Sequence, residues 1–135
     1  MLKHEIKIRV RYGETDQMKY VYYGNYAQYF EMGRVEWLRN LGVTYKNMEE
    51  KGIMLPVTNL NINYLKPAKY DDLLTIKTTL IKKPTAKIEF EFEIYNETNE
   101  LLTKGYTALV FIDIQKNRPT RAPHYIMDKV NTLFI

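Results

Sequence analysis

One long helix in the first third of the chain constrains the fold more than any other segment. It is predicted to begin at Asn25, an N-cap with Gln28 three residues later as in a capping box, and to end near Leu41, before Gly42. Apolar residues cover well over half of its circumference, namely Tyr26, Ala27, Tyr29, Phe30, Met32, Gly33, Val35, Trp37, Leu38 and Leu41. A helix on a protein surface needs an apolar stripe only about 100° wide. We therefore predict that this helix is the core element around which the rest of the chain folds.

Most of the remaining chain shows patterns typical of β-strands. The cleanest alternation is at 88–94, where four large apolar residues alternate with three glutamates. Further strand patterns cover 5–12, 54–65, 74–81 and 101–114, and short helices are predicted at 44–51 and within 123–135. Strands that follow one another without intervening helices favour an antiparallel sheet. We predict an α+β fold, a single domain over residues 1–135, in which a twisted sheet curls around the long helix.

Composition excludes several kinds of protein and several kinds of site. The 135 residues match the size of one domain, and a hydrophobic fraction of 45% argues against disorder. The absence of cysteine excludes disulfides, cysteine-based zinc sites and thiol catalysis. No apolar run approaches the ~20 residues that span a bilayer, and the N-terminus lacks the apolar segment of a signal peptide. We expect a cytoplasmic protein without membrane insertion and without a metal site.

Asp16 is the side chain best placed for chemistry. The chain has only two histidines, His4 and His124, and neither a G-x-S-x-G nor an H-E-x-x-H motif. Asp16 precedes the start of the long helix, where the first backbone N–H groups have no partner within the helix. A carboxylate beside such donors can attack a carbonyl, or activate water against it, while the donors stabilise the oxyanion. The alternative is a turn residue whose carboxylate binds its own backbone.

Positive charge is concentrated in two stretches of the chain. The net charge is +4, and residues 73–88 and 114–127 each contain several basic residues and no acid. The first stretch holds Lys77, Lys82, Lys83 and Lys87, and the second holds Lys116, Arg118 and Arg121. Each lysine taken alone is explained as a solvated side chain. Together the two stretches suit a small polyanion such as a nucleotide phosphate, and no motif for nucleic-acid binding accompanies them.

Four segments, in order along the chain, carry a family resemblance. They are R-x-R-Y-x-x-T-D at 9–16, V-Y-Y-G-N-Y at 21–26, Y-F-E at 29–31 and N-Y-L-K-P-A-K-Y-D-D at 63–72. The chain resembles the hotdog-fold acyl-CoA thioesterases of the 4-hydroxybenzoyl-CoA thioesterase type, including the branch associated with the Tol–Pal system. The similarity extends over roughly residues 5–115. Much of that branch has a histidine where this chain has Tyr23, and no histidine lies between His4 and His124, so the sequence does not predict a hotdog dehydratase.

The resemblance implies a fold, an assembly and a mechanism. The fold would be a hotdog, with five or six antiparallel strands around the helix, in a homodimer or homotetramer. Asp16 would be the nucleophile or general base, and the backbone N–H groups of Tyr23 and Gly24 would polarise the thioester carbonyl. Coenzyme A would be part of the substrate and not a separate cofactor, and it would lie against Lys82, Lys83 and Lys87. The alternative for each of these lysines is a solvated side chain without a ligand.

The resemblance also suggests side chains that contact the substrate. These candidates are Met18, Tyr22, Asn25, Tyr26 and Glu31. The alternatives are an N-cap for Asn25, core packing for the tyrosines and a solvent-facing helical position for Glu31. An acyl carrier protein could replace coenzyme A as the carrier, and a non-catalytic module that binds acyl thioesters is a third possibility. Retention of Asp16 argues against the third, because a binding module has no need of a lone carboxylate beside an anionic ligand.

Overall fold

The computed structural model describes residues 2–134, and it contains three α-helices and eight strands within that range. The helices are α1 (Tyr26–Asn40), α2 (Tyr45–Glu50) and α3 (His124–Val130). The strands are β1 (Lys3–Arg9), β2 (Ile53–Met54), β3 (Val57–Tyr64), β4 (Leu73–Leu80), β5 (Lys87–Tyr95), β6 (Leu101–Val110), β7 (Ile112–Asp113) and β8 (Arg118–Pro119). Two single 3₁₀ turns, Tyr12–Glu14 and Tyr23–Asn25, lie between β1 and α1.

Five strands form one antiparallel sheet in the order β1-β4-β5-β6-β3. Strands β2, β7 and β8 form a second, smaller sheet. Helix α1 packs on one face of the large sheet, against β1, β4 and β5. The prediction of an α+β fold with an antiparallel sheet of five or six strands and one long helix is confirmed.

The core lies between α1 and the face of the sheet that β5 supplies with large apolar side chains. Phe30 of α1 stacks on Phe92 with ring centroids 4.5 Å apart, and Trp37 meets Phe90 edge-on at 5.3 Å. All four rings are almost completely buried. The alternation predicted for 88–94 therefore places its apolar residues as expected.

Two glycines allow α1 to approach the sheet closely. A Cβ atom on Gly33 of α1 would lie 2.5 Å from Thr78 Oγ1, and one on Gly105 of β6 would overlap the Phe30 ring. Contacts this short do not occur between real side chains. The helix and the sheet can therefore reach their observed separation only without side chains at these two positions.

The ends of the helices follow the predicted stop signals better than the predicted start. Gly42 and Gly52, after α1 and α2, have φ angles of +93° and +85°, in the left-handed region that glycine favours. Thr44 caps α2 by accepting a hydrogen bond from the Asn47 N–H at 3.1 Å. Asn25, in contrast, has helical backbone angles and its side chain caps nothing, so the predicted capping box is wrong. Strand β1 ends at Arg9, three residues earlier than predicted.

Strand β3 leaves one edge of the large sheet open. Seven of its eight residues are exposed, among them Leu60 and Tyr64. The neighbouring surface of α1 is also incompletely covered, since Gln28 and Glu31 are exposed and Ala27 is half-buried. The seam between β3 and α1 is therefore open to solvent in a single chain. Within residues 2–134, no helix combines the length and the apolar character needed to cross a membrane.

Candidate active site

Asp16 lies in a tight turn that uses only one of its two carboxylate oxygens. Its Oδ1 accepts hydrogen bonds from the N–H groups of Met18 at 2.9 Å and Tyr20 at 3.3 Å. Its backbone N–H donates to the Tyr20 carbonyl at 2.8 Å, and Lys19 closes the turn with a left-handed φ of 67°. No hydrogen bond to Oδ2 occurs within the described part of the chain. The turn role and a chemical role are therefore compatible, because the second oxygen is available.

The 3₁₀ turn before α1 presents two backbone donors. The Asn25 N–H donates to the Tyr22 carbonyl at 2.9 Å, which closes the turn. The N–H groups of Tyr23 and Gly24 find no acceptor among residues 2–134, as expected for the first residues of a helical segment. A Cβ atom on Gly24 would lie 2.7 Å from the exposed Tyr22 ring, so a larger residue here would have to displace that ring.

Asp16 and Tyr23 line one cleft, together with aromatic side chains from α1 and β3. The cleft has a volume of about 320 Å³, and its other walls include Met18, Tyr26 and Tyr64. Tyr64 donates from its hydroxyl to the Tyr23 carbonyl at 3.2 Å and so joins β3 to the turn. Burial raises the pKa of Tyr26, whose hydroxyl accepts the Ala68 N–H at 3.3 Å. The cleft therefore combines one carboxylate with mainly aromatic and apolar walls and one cation, Lys66, which pairs with Glu100.

A second and larger cleft, of about 580 Å³, also has Asp16 in its wall. Its walls include Tyr12 and Tyr70, which meet edge-on with ring centroids 5.7 Å apart. Both rings are more than half exposed. Asp16 thus lines both clefts, an arrangement that suits a substrate with a group in each.

The structure brings some of the predicted substrate contacts together and separates others. Met18 and Tyr26 line the smaller cleft with Asp16, and Tyr22 packs beside Tyr23 with ring centroids 4.7 Å apart. Glu31 is exposed farther along α1 and lines neither cleft.

The amide of Asn25 is engaged with the protein itself. Its Nδ2 donates to the Glu14 carbonyl at 2.8 Å, so this side chain links two segments of the backbone. The predicted N-cap would use Asn25 Oδ1 as an acceptor. The observed bond uses the Nδ2 donor, and the side chain makes no capping hydrogen bond to α1.

Glu14 is the residue of this region that the sequence did not single out. Only 7% of it is exposed, and its carboxylate accepts hydrogen bonds from Arg11 and from the Tyr29 hydroxyl. Burial alone would raise the pKa of Glu14, but the bonds from Arg11 and Tyr29 outweigh it and hold the pKa below the usual 4.5. Burial, and then the bond to Glu14, raise the pKa of the Tyr29 hydroxyl. The one local signal that could have indicated the role of Glu14 is Arg11, a possible charge partner three residues before it.

The three predicted coenzyme A lysines lie around the β4–β5 turn, and two of them pair with an acid. Lys82 Nζ lies 3.3 Å from the Glu89 carboxylate, and Lys87 Nζ lies 3.1 Å from it. Glu89 itself is buried, whereas Lys83 is exposed. Residues 73–88 contain no acid, but the strand that follows supplies one. The turn therefore carries less free positive charge than the sequence suggested.

Comparison with known proteins shows which family the chain belongs to. The sequence profile of the thioesterase-like superfamily matches residues 10–130. The chain belongs to that superfamily. YneP of Bacillus subtilis is 36% identical over 84% of this chain and 82% of its own length. The acyl-CoA thioesterase YbgC of Haemophilus influenzae is 34% identical over 86% of this chain and 85% of its own length.

A solved structure extends the comparison to nearly the whole chain. The DHNA-CoA thioesterase from Staphylococcus aureus superposes with a TM-score of 0.92 and 36% identity, covering 99% of this chain and 92% of that one. The predictions of a hotdog fold and of an enzyme of the thioesterase class are confirmed. The role of each site residue stays a prediction.

Proposed function

We propose that this enzyme hydrolyses acyl-CoA thioesters to a carboxylic acid and free coenzyme A. The observation that carries the proposal is that Asp16, with one free oxygen, lines the same cleft as Tyr23, the first residue of a turn in which the N–H groups of Tyr23 and Gly24 have no acceptor among residues 2–134. The membership in the thioesterase-like superfamily supports it, as do relatives named as acyl-CoA thioesterases. A non-catalytic binding module would leave the free carboxylate without a purpose.

The reaction would begin with the thioester carbonyl oxygen accepting hydrogen bonds from Tyr23 and Gly24. Negative charge that develops on this oxygen is then met by donors already in place. Asp16 either attacks the carbonyl carbon, to give an anhydride that water cleaves, or takes a proton from water as the water attacks. In both routes the C–S bond breaks and coenzyme A leaves as a thiolate, which takes up a proton. Both routes require Asp16 in its ionised form.

The walls of the smaller cleft would hold the substrate next to Asp16. Met18 and Tyr26 are proposed to contact the substrate directly, and Tyr22 to do so from beside Tyr23. Asn25 and Glu31 lie outside this cleft. Either residue would contact the substrate only if part of the substrate extends out of the cleft. The predicted cytoplasmic location, the absence of a cofactor and the single domain over 1–135 stay predictions.

The coenzyme A phosphates are proposed to bind at Lys82, Lys83 and Lys87. Glu89 neutralises part of this charge, so we expect Lys83 to contribute the largest share. Changing all three lysines to alanine should raise KM for acyl-CoA, and most strongly at low salt, because salt screens exposed charges. The same change should leave KM nearly constant for a short thioester without the nucleotide. Equal effects on both substrates would contradict this location.

The proposed activity is tested by a thiol-release assay over a panel of thioesters. The panel pairs aromatic, short and medium-length acyl groups with coenzyme A, and it repeats the preferred acyl group on acyl carrier protein. We expect hydrolysis of at least one acyl-CoA, with lower kcat/KM on the carrier protein. Faster turnover on acyl carrier protein would reassign the carrier. Binding of acyl-CoA without thiol release from any substrate would overturn the proposal in favour of a binding module.

A further inference from the structure

A buried carboxylate lies two residues before Asp16 and takes no part in the chemistry proposed above. Glu14 Oε1 accepts hydrogen bonds from the Arg11 N–H at 2.8 Å and the Tyr29 hydroxyl at 2.9 Å. Its Oε2 accepts from the Arg11 guanidinium, at 3.1 Å from Nε and 2.9 Å from Nη2. Four donors thus surround the group, and Tyr29 anchors it to the buried face of α1. Such charge-assisted bonds are among the strongest that a side chain makes.

The backbone of Glu14 is also bound, to the residues at either end of the 3₁₀ turn before α1. Its carbonyl accepts hydrogen bonds from the Tyr22 N–H at 2.9 Å and from Asn25 Nδ2 at 2.8 Å. These two donors flank the pair of unpaired N–H groups in sequence. One residue therefore connects the turn that holds Asp16 with the segment that presents the oxyanion donors.

We propose that Glu14 is a positioning residue that sets the distance between the Asp16 carboxylate and the N–H groups of Tyr23 and Gly24. The inference rests on the proposed function, because that function requires the carboxylate and these N–H groups to meet one carbonyl. A link of two residues leaves little slack, so a change in the Glu14 contacts shifts Asp16 directly. Misplacement of a catalytic group by about 1 Å can cost about 100-fold in rate.

The substitution Glu14→Gln tests this role with a side chain of the same shape. The amide can still accept from one side, but its NH₂ group meets the Arg11 guanidinium, which only donates, so bonds at Oε2 are lost. We expect kcat to fall by about 10- to 100-fold, while KM changes by less than about twofold. Tyr29→Phe removes a single bond and should lower kcat less than Glu14→Gln does.

A control variant separates positioning from loss of stability. Val130→Ala truncates a fully buried side chain in α3, which lines neither cleft, and so destabilises the fold at a different place. Val130→Ala should keep the wild-type kcat at a temperature well below the melting points of the variant and of the wild type. Adding Glu14→Gln to Asp16→Asn should cost little more than Asp16→Asn alone, because positioning matters only while the carboxylate is present.

Amide hydrogen exchange gives a readout that does not depend on catalysis. In Glu14→Gln, the amides of Asp16, Tyr20 and Tyr22 should exchange faster, while those of β5 and β6 keep wild-type rates. If the wild-type protein hydrolyses no thioester, the proposed function fails and takes the catalytic role of Glu14 with it, and exchange then tests only whether Glu14 holds the two segments together. Unchanged exchange across 15–25 in Glu14→Gln would overturn the inference. So would a kcat in Glu14→Gln equal to that of wild type or Val130→Ala.

Discussion

Two carboxylates that are close in sequence occupy very different surroundings. Asp16 is half-exposed and one of its oxygens accepts no hydrogen bond from residues 2–134, whereas Glu14 is buried and uses both oxygens. A free oxygen suits attack or proton transfer, and a fully bonded carboxylate suits the fixing of geometry. The environment of each side chain thus assigns it a different task, although both are acids in the same loop.

The lowered pKa of Glu14 predicts how stability depends on pH. A carboxyl whose pKa is lower in the folded protein stabilises the fold above its unfolded pKa, near 4.5, and this contribution is lost as pH falls through the folded value. The free energy of unfolding of the wild type should therefore fall more steeply below pH 4.5 than that of Glu14→Gln. Urea denaturation of both proteins between neutral and acidic pH measures the difference.

Comparison of these two proteins isolates Glu14. Glu89 and Glu100 also have lowered pKa values, and hydrogen bonds from Lys66 and Asn96 lower that of Glu100 to about 2. Both groups make stability fall at acidic pH in the same way, but they are present in both proteins and so do not affect the difference. Parallel dependences of the two unfolding free energies on pH would contradict the assignment of a lowered pKa to Glu14.

The contact between α1 and the sheet depends on positions that can hold only glycine. Gly105→Ala would push a methyl group into the Phe30 ring and so disturb its stacking on Phe92. Overpacking of this kind costs about 1–3 kcal/mol in the free energy of unfolding. Gly13→Ala is the matched control, because an added Cβ there would meet no atom within 4 Å in the described chain apart from its two sequence neighbours. Equal unfolding free energies for the two variants, measured in urea, would contradict the close approach described here.

The elements predicted correctly from the sequence are those that leave a signal in their own residues. The apolar residues of β5 and the left-handed stop at Gly42 were foreseen, because burial of one strand face and a positive φ leave local signatures. The positions of Asp16 and of the turn before α1 were predicted from the order of the motifs that carry the family resemblance. Local pattern and motif together therefore located the candidate cleft.

The errors arose where a side chain found a partner distant in sequence. Asn25 donates from Nδ2 to the Glu14 carbonyl, eleven residues away, and makes no side-chain cap on α1. The charge of the β4–β5 turn was overestimated because Glu89 folds back onto Lys82. The importance of Glu14 depends on Tyr29, fifteen residues later. Spacing along the chain cannot reveal such contacts, because they exist only once the loop packs on the helix.

At the scale of the whole molecule, the open seam between β3 and α1 predicts self-association. An exposed strand edge invites pairing, and the apolar residues along this edge include Val57, Leu60 and Tyr64. We expect a homodimer or homotetramer, so light scattering should report two or four times 16.1 kDa at micromolar concentration. A stable, fully active species of 16.1 kDa would contradict this prediction.

One pair of variants locates the interface. Leu60→Arg places a charge in the seam and should shift the mass toward that of a single chain. Ile114→Arg places the same charge on a side chain of nearly equal exposure outside the seam, 43% against 42%, and should leave the mass unchanged. Dissociation by Ile114→Arg alone would place the interface elsewhere.

Asp16→Asn measures the central claim most directly, because asparagine keeps the Oδ1 acceptor of the turn while a neutral NH₂ group replaces the free Oδ2. Asp113→Asn is the matched control, since Asp113 also accepts a backbone N–H in a turn, from Lys116 at 3.1 Å, and lines neither cleft. Steady-state hydrolysis of the best acyl-CoA should show kcat at least about 100-fold lower in Asp16→Asn, as expected for the loss of a general base. Asp113→Asn should retain the wild-type kcat, and both variants should keep the wild-type fold by circular dichroism. Hydrolysis by Asp16→Asn at a rate near that of the wild type would contradict the mechanism.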